Sequence, residues 1–286
     1  MRTVRKLTNK EWAEISEKYK DGGAHLYRGK RTFFYNGGTL WKHDYLFEML
    51  IDAGMYDKPP PIYNDEERNT WQVVIVLPGV ERISDLAFKG CANLETVIMA
   101  DSVKRIEYEA FERCESLLYV RLSKNLEYIG ECSFENCKSL TSIFIPPSCR
   151  QIDRFAFNHR YAYYHGCGKL IIFSVSQHTQ LGEGVFSGTA LIEASPFDSS
   201  DHDRVNEWIN TLNDGQDFSL HRECASMNPS FDRIYENVKA QGLKTLYRKN
   251  SIGITALDHL SANPYSEVDQ QAIAKKYILE MMGEVV

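Results

Sequence analysis

Apolar residues recur at a fixed interval of 23 positions along the middle of this chain. The period is marked by Phe88, Phe111, Phe134 and Phe157. Each of the first three is followed by a cysteine after three positions and a leucine after six: Cys91, Cys114, Cys137, Leu94, Leu117 and Leu140. An isoleucine stands five positions before every phenylalanine: Ile83, Ile106, Ile129 and Ile152. This period predicts stacked coils, because one coil of this length cannot bury its own apolar face.

Alternating apolar residues follow each leucine and predict a short strand with one buried face. The buried positions are Val97, Met99, Val120, Leu122, Ile143 and Ile145. One period earlier, Val74 and Val76 lie in "WQVVIV", which we expect to open the array. The strands should pair in parallel on one side of a solenoid. The segment with Ala110, Phe111 and Cys114 should return on the other side as one or two helical turns.

The later copies are less regular. Seven extra residues separate Phe157 from Cys167, after which "LIIFSV" restores the strand. A shortened fifth copy contains Leu181, Phe186 and Leu191. The pattern therefore predicts an array of four to five coils between about Trp71 and Ser195.

The repeat phrase resembles that of a known family. "VKRIEYEAFERCESLLYVRL", with Ala-Phe-x-x-Cys between the isoleucine and the strand, closely resembles the BspA-type leucine-rich repeat. The resemblance implies an α/β repeat solenoid with a parallel strand stack. It also implies an interaction surface, usually for protein partners, and no catalytic centre.

The segments on either side of the array have other patterns and predict three parts: 1–70, 71–195 and 196–286. In the first, Thr8 and Glu11 form a capping box that starts a helix. Asn36–Gly38 separates two aromatic runs as a hairpin turn would, and 41–54 favours a short further helix. We expect this whole segment to cover the end of the solenoid.

The third part has helical patterns. Asp201 precedes a helix with Val205 and Trp208 on one side. Two helix-turn-helix patterns follow, from Ser219 and from Thr255, and both resemble the start of an ankyrin repeat. We expect an ankyrin-like helical lid on the C-terminal end of the array.

The outward side of the strands is the predicted binding surface, because the residue between two buried positions points out. Its apolar and aromatic residues are more numerous than a solvated face needs. The candidate contacts are Ile98, Tyr119, Arg121, Phe144 and Ile172. The alternative is that a terminal segment of the chain folds back over this face.

The insertion in the fourth copy holds a second group of candidates. Arg160, Tyr161, Tyr163 and Tyr164 are side-chain types that dominate binding hot spots. A loop with no function is equally compatible, because added loop residues cost little entropy. A metal-dependent enzyme at 158–167 is a weaker alternative, because no fourth ligand accompanies His159, His165 and Cys167.

Composition and charge exclude several classes. The 286 residues carry a net charge of −6, and 12 basic residues balance 12 acidic ones from Leu77 to Val175, which argues against nucleic acid. No phosphate-binding loop or hydrolase motif is present. Seven cysteines, no apolar run of membrane-spanning length and no visible signal peptide favour a cytoplasmic or nuclear location.

These observations combine into one functional hypothesis. We expect a monomeric, non-enzymatic scaffold without a cofactor that binds a protein partner through its strand face. A surface adhesion or glycan-binding protein is the competing class, which the family resemblance permits.

Overall fold

The computed structural model describes residues 7–37, 41–42, 62–63, 65–158, 166–176, 178–190, 201, 203–205, 207–208, 219–226, 229–249, 254–266 and 268–281. Within these ranges the chain forms a stack of coils, called rungs below. A helix and a hairpin precede the rungs, and a group of helices follows them.

Helix α1 spans Asn9–Lys18 and begins at the predicted capping box. The Glu11 backbone N–H donates to the Thr8 hydroxyl over 3.2 Å, and the Thr8 backbone N–H donates to the Glu11 carboxylate over 2.7 Å. Both orphan donors at the helix start are thereby satisfied. Ile15 is buried on one side of the helix.

A hairpin follows α1, but its turn is not where the sequence pattern placed it. Strands β1 (Gly23–Tyr27) and β2 (Lys30–Tyr35) are antiparallel and joined by Arg28 and Gly29. Both turn residues have positive φ, 51° and 79°, as a type I′ turn requires. The predicted turn at Asn36–Gly38 is wrong, because the aromatic run of β2 forms its hairpin with β1, the strand that precedes it in the chain.

Two short elements connect the hairpin to the array. Strands β3 (Trp41–Lys42) and β4 (Ile62–Tyr63) pair in parallel, and helix α2 spans Asp65–Arg68. Most of the predicted helix at 41–54 lies outside the described residues.

Each rung contributes strands to two parallel sheets. In chain order the strands are β5 (Val73–Val76), β6 (Arg82–Ile83), β7 (Thr96–Met99), β8 (Arg105–Ile106), β9 (Tyr119–Arg121), β10 (Tyr128–Ile129), β11 (Ser142–Phe144), β12 (Gln151–Ile152), β13 (Ile172–Ser174) and β14 (Gln180–Leu181). The long-strand sheet has the order β1-β2-β5-β7-β9, and β11 pairs with β13 beyond it. The short-strand sheet contains β6, β8, β10, β12 and β14. The predicted parallel stack is confirmed, with Val74 opposite Val97 and Val97 opposite Val120.

The interior is built from ladders of identical side chains. The rings of Phe88, Phe111, Phe134, Phe157 and Phe186 stack with centroids 5.2–5.3 Å apart. The cysteine thiols form a second ladder, in which Cys114 donates to the Phe88 carbonyl over 3.2 Å and Cys137 to the Phe111 carbonyl over 3.3 Å. The predicted inward cysteines are therefore small apolar residues that also bond the rung before them.

The return segments are turns and not the predicted helical turns. Residues two positions before the phenylalanines have left-handed backbones: Leu86, Glu109, Cys132 and Phe155. Two positions after the phenylalanines, the same is true of Gly90, Arg113 and Asn136. Positive φ values at both places interrupt any right-handed helix, so each return segment bends sharply around its phenylalanine.

Arg68 takes the place of a preceding rung at the start of the array. In the second rung, the carbonyls of Ala110 and Glu112 accept from the backbone N–H groups of Phe88 and Gly90 in the rung before. The corresponding first-rung carbonyls, those of Ala87 and Lys89, accept from the Arg68 guanidinium at 2.9 and 3.2 Å. Buried carbonyls need such partners, so this side chain closes the end of the stack.

Helices follow the array, as predicted. Helical turns occur at 203–205 and 207–208, after an Asp201 carboxylate that accepts from the Arg204 backbone N–H at 3.3 Å. The later elements are α3 (Ser219–Cys224), α4 (Phe231–Gln241), a 3₁₀ helix (Leu243–Tyr247), α5 (Ala256–Ala262) and α6 (Gln270–Met281). They share a separate apolar core that includes Ile234, Leu260 and Ile273. The predicted helix pairs are present, whereas their ankyrin likeness is not confirmed.

Candidate functional site

The outward side of the long-strand sheet is covered at its N-terminal end by α1. Outward strand residues Phe34, Val73, Ile75 and Ile98 form one buried cluster with Leu7, Ile15 and Tyr19. Tyr19 stacks on Phe34 with ring centroids 3.8 Å apart. Ile98 has no solvent exposure. Its predicted exposure is therefore wrong, because an amphipathic helix with its own apolar side occupies this part of the face.

The C-terminal helices cover the other end of the same face. Phe144 is 1% exposed and packs with Ala225 and Tyr265. The Tyr265 hydroxyl donates to the Leu122 carbonyl over 2.7 Å. Tyr119 is also buried, at 9% exposure. The predicted exposure of Tyr119 and Phe144 is therefore wrong. The alternative considered from the sequence applies instead, because a terminal segment folds back over the strands.

A cleft of about 470 Å³ remains between the two covers. The array supplies one wall, α1 another, and the turns after α3 and α5 the third. Its lining residues are Leu7, Asn9, Trp12, Pro78, Ala100, Asp101, Ser102, Arg121, Lys124, Pro229, Pro264 and Tyr265. Arg121, one of the predicted contact residues, thus lines this cleft.

The repeat geometry explains how the charged side chains meet. Asp101 and Lys124 are 23 residues apart and occupy the same position in the loops after β7 and β9. Arg121 is the outward residue at the end of β9. Stacking of consecutive rungs places these three side chains on one wall, as the Lys124 backbone N–H shows by donating to Asp101 over 3.1 Å.

The cleft has positive charge that is only partly neutralised. The Arg121 guanidinium donates to the Met99 carbonyl and, over 3.2 Å, to the Asp101 carboxylate. No carboxylate in the described part of the chain forms an ion pair with Lys124, whose ammonium lies 5.9 Å from the Tyr265 ring centroid. Two cations therefore lie beside one aromatic ring, and the one nearby carboxylate, Asp101, pairs with Arg121.

Tyr265 is a fixed, neutral part of this wall. Burial raises the pKa of its hydroxyl, so that the group keeps its proton and the hydrogen bond to Leu122. The Arg121 guanidinium lies 5.4 Å from its ring centroid. The tyrosine therefore connects the C-terminal helices to the charged wall.

A second group of charges lies on the return side. Lys89 forms ion pairs with the buried carboxylates of Glu109 and Glu112, the latter at 2.5 Å. Burial raises the pKa of Glu112 to about 7. Burial also acts to raise the pKa of Glu109, but hydrogen bonds from Glu112 and Lys89 outweigh it and lower that pKa overall. The two carboxyl groups thus differ in affinity for a proton, beside one lysine.

The remaining predicted contacts cannot be placed in the site. Arg160, Tyr161, Tyr163 and Tyr164 lie outside the described residues, as does the Ile172 side chain. In the ranges that the structure covers, no group of three or more His, Cys, Asp or Glu side chains has a metal-binding arrangement. Burial raises the pKa of Cys149 and of Cys224 to about 12, so these thiols are not activated nucleophiles.

Sequence reasoning missed the residues from outside the array. Trp12, Pro229 and Tyr265 lie outside the repeats, so the 23-residue period does not predict where they lie in the fold. Asp101 and Lys124 could have been found from the sequence, since they are 23 residues apart and hold the same position in consecutive repeats. They were missed because the prediction followed the apolar positions and not the loops.

One family profile, "BspA type Leucine rich repeat region", matches residues 81–203 in six copies. No curated protein matches the chain. Among solved structures, a leucine rich cell surface protein from Faecalibacterium prausnitzii is 33% identical over 38% of this chain and 27% of its own, with a TM-score of 0.34. A Bacteroides ovatus leucine-rich repeat protein is 21% identical over 43% and 40%, with a TM-score of 0.32.

The T. pallidum leucine rich repeat protein is 16% identical over 66% of this chain and 94% of its own, with a TM-score of 0.28. The chain thus spans well under half the length of the Faecalibacterium and Bacteroides ovatus proteins. None of the helices in the described ranges has the length and hydropathy that a bilayer crossing requires.

The comparisons correct two expectations and confirm a third. A cytoplasmic or nuclear location is contradicted, because the Faecalibacterium relative is described as a cell surface protein. The number of repeat copies is six, against the four to five expected. The recognised repeat type is confirmed, because the BspA-type leucine-rich repeat profile matches residues 81–203.

Proposed function

We propose that the chain is a non-enzymatic protein-binding module whose partner enters the cleft between α1 and the C-terminal helices. Leucine-rich repeats generally mediate protein–protein interaction, which supports the binding class. Among the described strand residues, Ile98, Tyr119 and Phe144 are buried under the covers, so we propose that a partner reaches this face through the cleft. The single observation that carries the proposal is the meeting of Arg121 and Lys124 with Tyr265 in this cavity.

The charge of the cleft selects the chemistry of the partner. Asp101 neutralises part of Arg121, whereas Lys124 keeps its full charge at the rim. A carboxylate on the partner would complete this set of charges. Trp12 and the two prolines, Pro229 and Pro264, add a surface against which a short apolar or backbone segment can pack. We therefore propose an acidic segment of a protein as the occupant.

Peptide display tests this proposal without knowledge of the natural partner. Random peptides would be selected on the wild-type chain and on Lys124→Glu, with Lys169→Glu as control. Lys169 is also exposed and lies in a turn away from the cleft lining. Both variants change the net charge equally, so only the position differs.

We expect acidic peptides to be enriched on the wild type and on Lys169→Glu, and to be lost on Lys124→Glu. Reversal of one surface charge should not unfold the chain, since such changes usually alter stability by about 0.5 kcal/mol or less. Equal enrichment on all three proteins would contradict the cleft as the site. Enrichment of peptides without acidic residues would contradict the proposed chemistry.

A further inference from the structure

Strand β1 ends the long-strand sheet, and no strand in the described ranges pairs with its outer side. The carbonyls of Arg31 and Tyr35 in β2 accept from Gln72 and Leu77, so the odd residues of β2 bond toward β5. The even residues of β2 must then bond toward β1. Their partners there are Gly23, His25 and Tyr27.

It follows that Ala24 and Leu26 direct their backbone N–H and C=O groups away from β2, because these directions alternate along a strand. An unpaired edge of this kind is a template for another strand. Proteins usually protect such an edge with lysine, proline or a bulge. The five residues of β1, Gly-Ala-His-Leu-Tyr, contain no lysine or proline, and Leu26 is 70% exposed.

The side chains of β1 fit a second copy of themselves. In an antiparallel pair with its two-fold axis at His25, Ala24 of each copy lies opposite Leu26 of the other, and Gly23 lies opposite Tyr27. The large side chains of Leu26 and Tyr27 thus meet small residues, and the two His25 side chains lie opposite each other at the axis. In the same register, Ala24 and Leu26 form the two hydrogen-bonded pairs, which use all the outward backbone groups of the strand.

Other two-fold registers fail this test. An axis at Ala24 would place Leu26 opposite Gly22, outside the strand, and an axis at Leu26 would place Ala24 opposite Arg28 in the turn. Each leaves part of the outward edge unpaired. We propose that two copies of this chain associate through antiparallel pairing of their β1 strands, centred on His25.

Such a dimer differs from the monomer expected from the sequence. The interface is one five-residue strand from each copy, well below the area of tight dimers, so we expect association in the micromolar range. Sedimentation velocity over a concentration series up to ~100 µM should show the mass rising from 32.9 kDa toward twice that value.

Two edge variants should abolish this rise. Ala24→Pro removes an outward N–H but no hairpin bond, and Leu26→Lys adds the charge that edge strands normally carry. Leu118→Lys is the matched control, since Leu118 is also exposed, at 51%, but lies in the array. Circular dichroism must show all variants folded. A wild type that stays at 32.9 kDa at every concentration overturns the proposal. So does a Leu118→Lys control that loses the rise in mass as completely as the two edge variants.

A cysteine cross-link tests the register. The seven native cysteines are buried, so His25→Cys introduces an exposed thiol. At the two-fold axis the two His25→Cys thiols lie within the span of a disulfide. Mild oxidation should yield a covalent dimer from His25→Cys and not from Leu118→Cys. Absence of a covalent dimer from His25→Cys would overturn the proposed pairing. It would mean that β1 pairs in another register or with a strand of a different protein.

Discussion

The long strands are buried on both sides, but by different parts of the chain. On the inner side, Val97 and Phe111 pack against residues one period away. On the outer side, Ile98 packs under Ile15, and Phe144 packs under Tyr265. These outer partners are 83 and 121 positions distant along the chain. Burial that repeats with the period can be read from a sequence, whereas burial by unrepeated segments cannot.

Removal of an inner ring should have the largest effect. Phe111→Ala opens a cavity between Phe88 and Phe134, which stack on its two faces at 5.2 Å. We expect the free energy of unfolding to fall by ~3–5 kcal/mol, because both the ring and its two stacked contacts are lost. Urea denaturation followed by circular dichroism measures it. A loss below ~1 kcal/mol would mean that the ladder does not hold the rungs together.

Truncation on the outer side should cost less. Ile98→Ala removes a fully buried side chain beneath α1, and we expect a loss of ~2–3 kcal/mol. The loss is smaller than for Phe111 because α1 is a single helix that can move toward the gap. Leu118→Ala is the control, since this exposed leucine should lose about 0.5 kcal/mol or less. Equal effects at the two positions would show that Ile98 is exposed.

The contact of the C-terminal helices should respond to one hydroxyl. Tyr265→Phe keeps the ring but removes the bond to the Leu122 carbonyl. We expect a cost of ~1 kcal/mol, which corresponds to about fivefold faster hydrogen exchange in α5 if undocking governs it. Exchange in the rungs around Phe111 should not change. An unaltered rate in α5 would show that the hydroxyl does not hold this cover in place.

The charges on the return side should give the smallest effect, visible as a pH dependence. The pKa of Glu112 is raised to about 7, above its unfolded value, so its protonated form stabilises the fold and this contribution is lost as pH rises toward 7. Glu112→Gln should therefore gain stability relative to the wild type between pH 5 and pH 8. The opposite shift of Glu109 keeps the change small. A gain that is the same at both pH values would contradict the raised pKa.

Much of the array could be predicted because each rung repeats the same physical problem. The ladders of Phe111 and Cys114, the parallel strands and the inward residue Val97 all follow from a period of 23. The capping box at Thr8 was also readable, since its two residues lie within one helical turn. Local and periodic information was enough for these elements.

The covers over the strand face could not be predicted in the same way. The apolar sides of α1 and of the C-terminal helices were visible, but a single sequence does not say which surface they cover. The hairpin was misplaced because Asn36–Gly38 has stronger turn residues than Arg28–Gly29, and pairing with β1 and β5 decided the outcome. The cleft depends on both covers, so Arg121 is the one residue of its lining that the sequence indicated as a candidate contact.

The central claim is that the chain covers the outer side of its own strands, and cysteine labelling tests it most directly. Ile98→Cys and Leu118→Cys would be treated with a thiol reagent in the folded state, against a background of seven buried native cysteines. We predict that the thiol at position 118 reacts rapidly and that the thiol at position 98 stays protected until denaturant is added. Reaction at position 98 as fast as at position 118 would contradict the account.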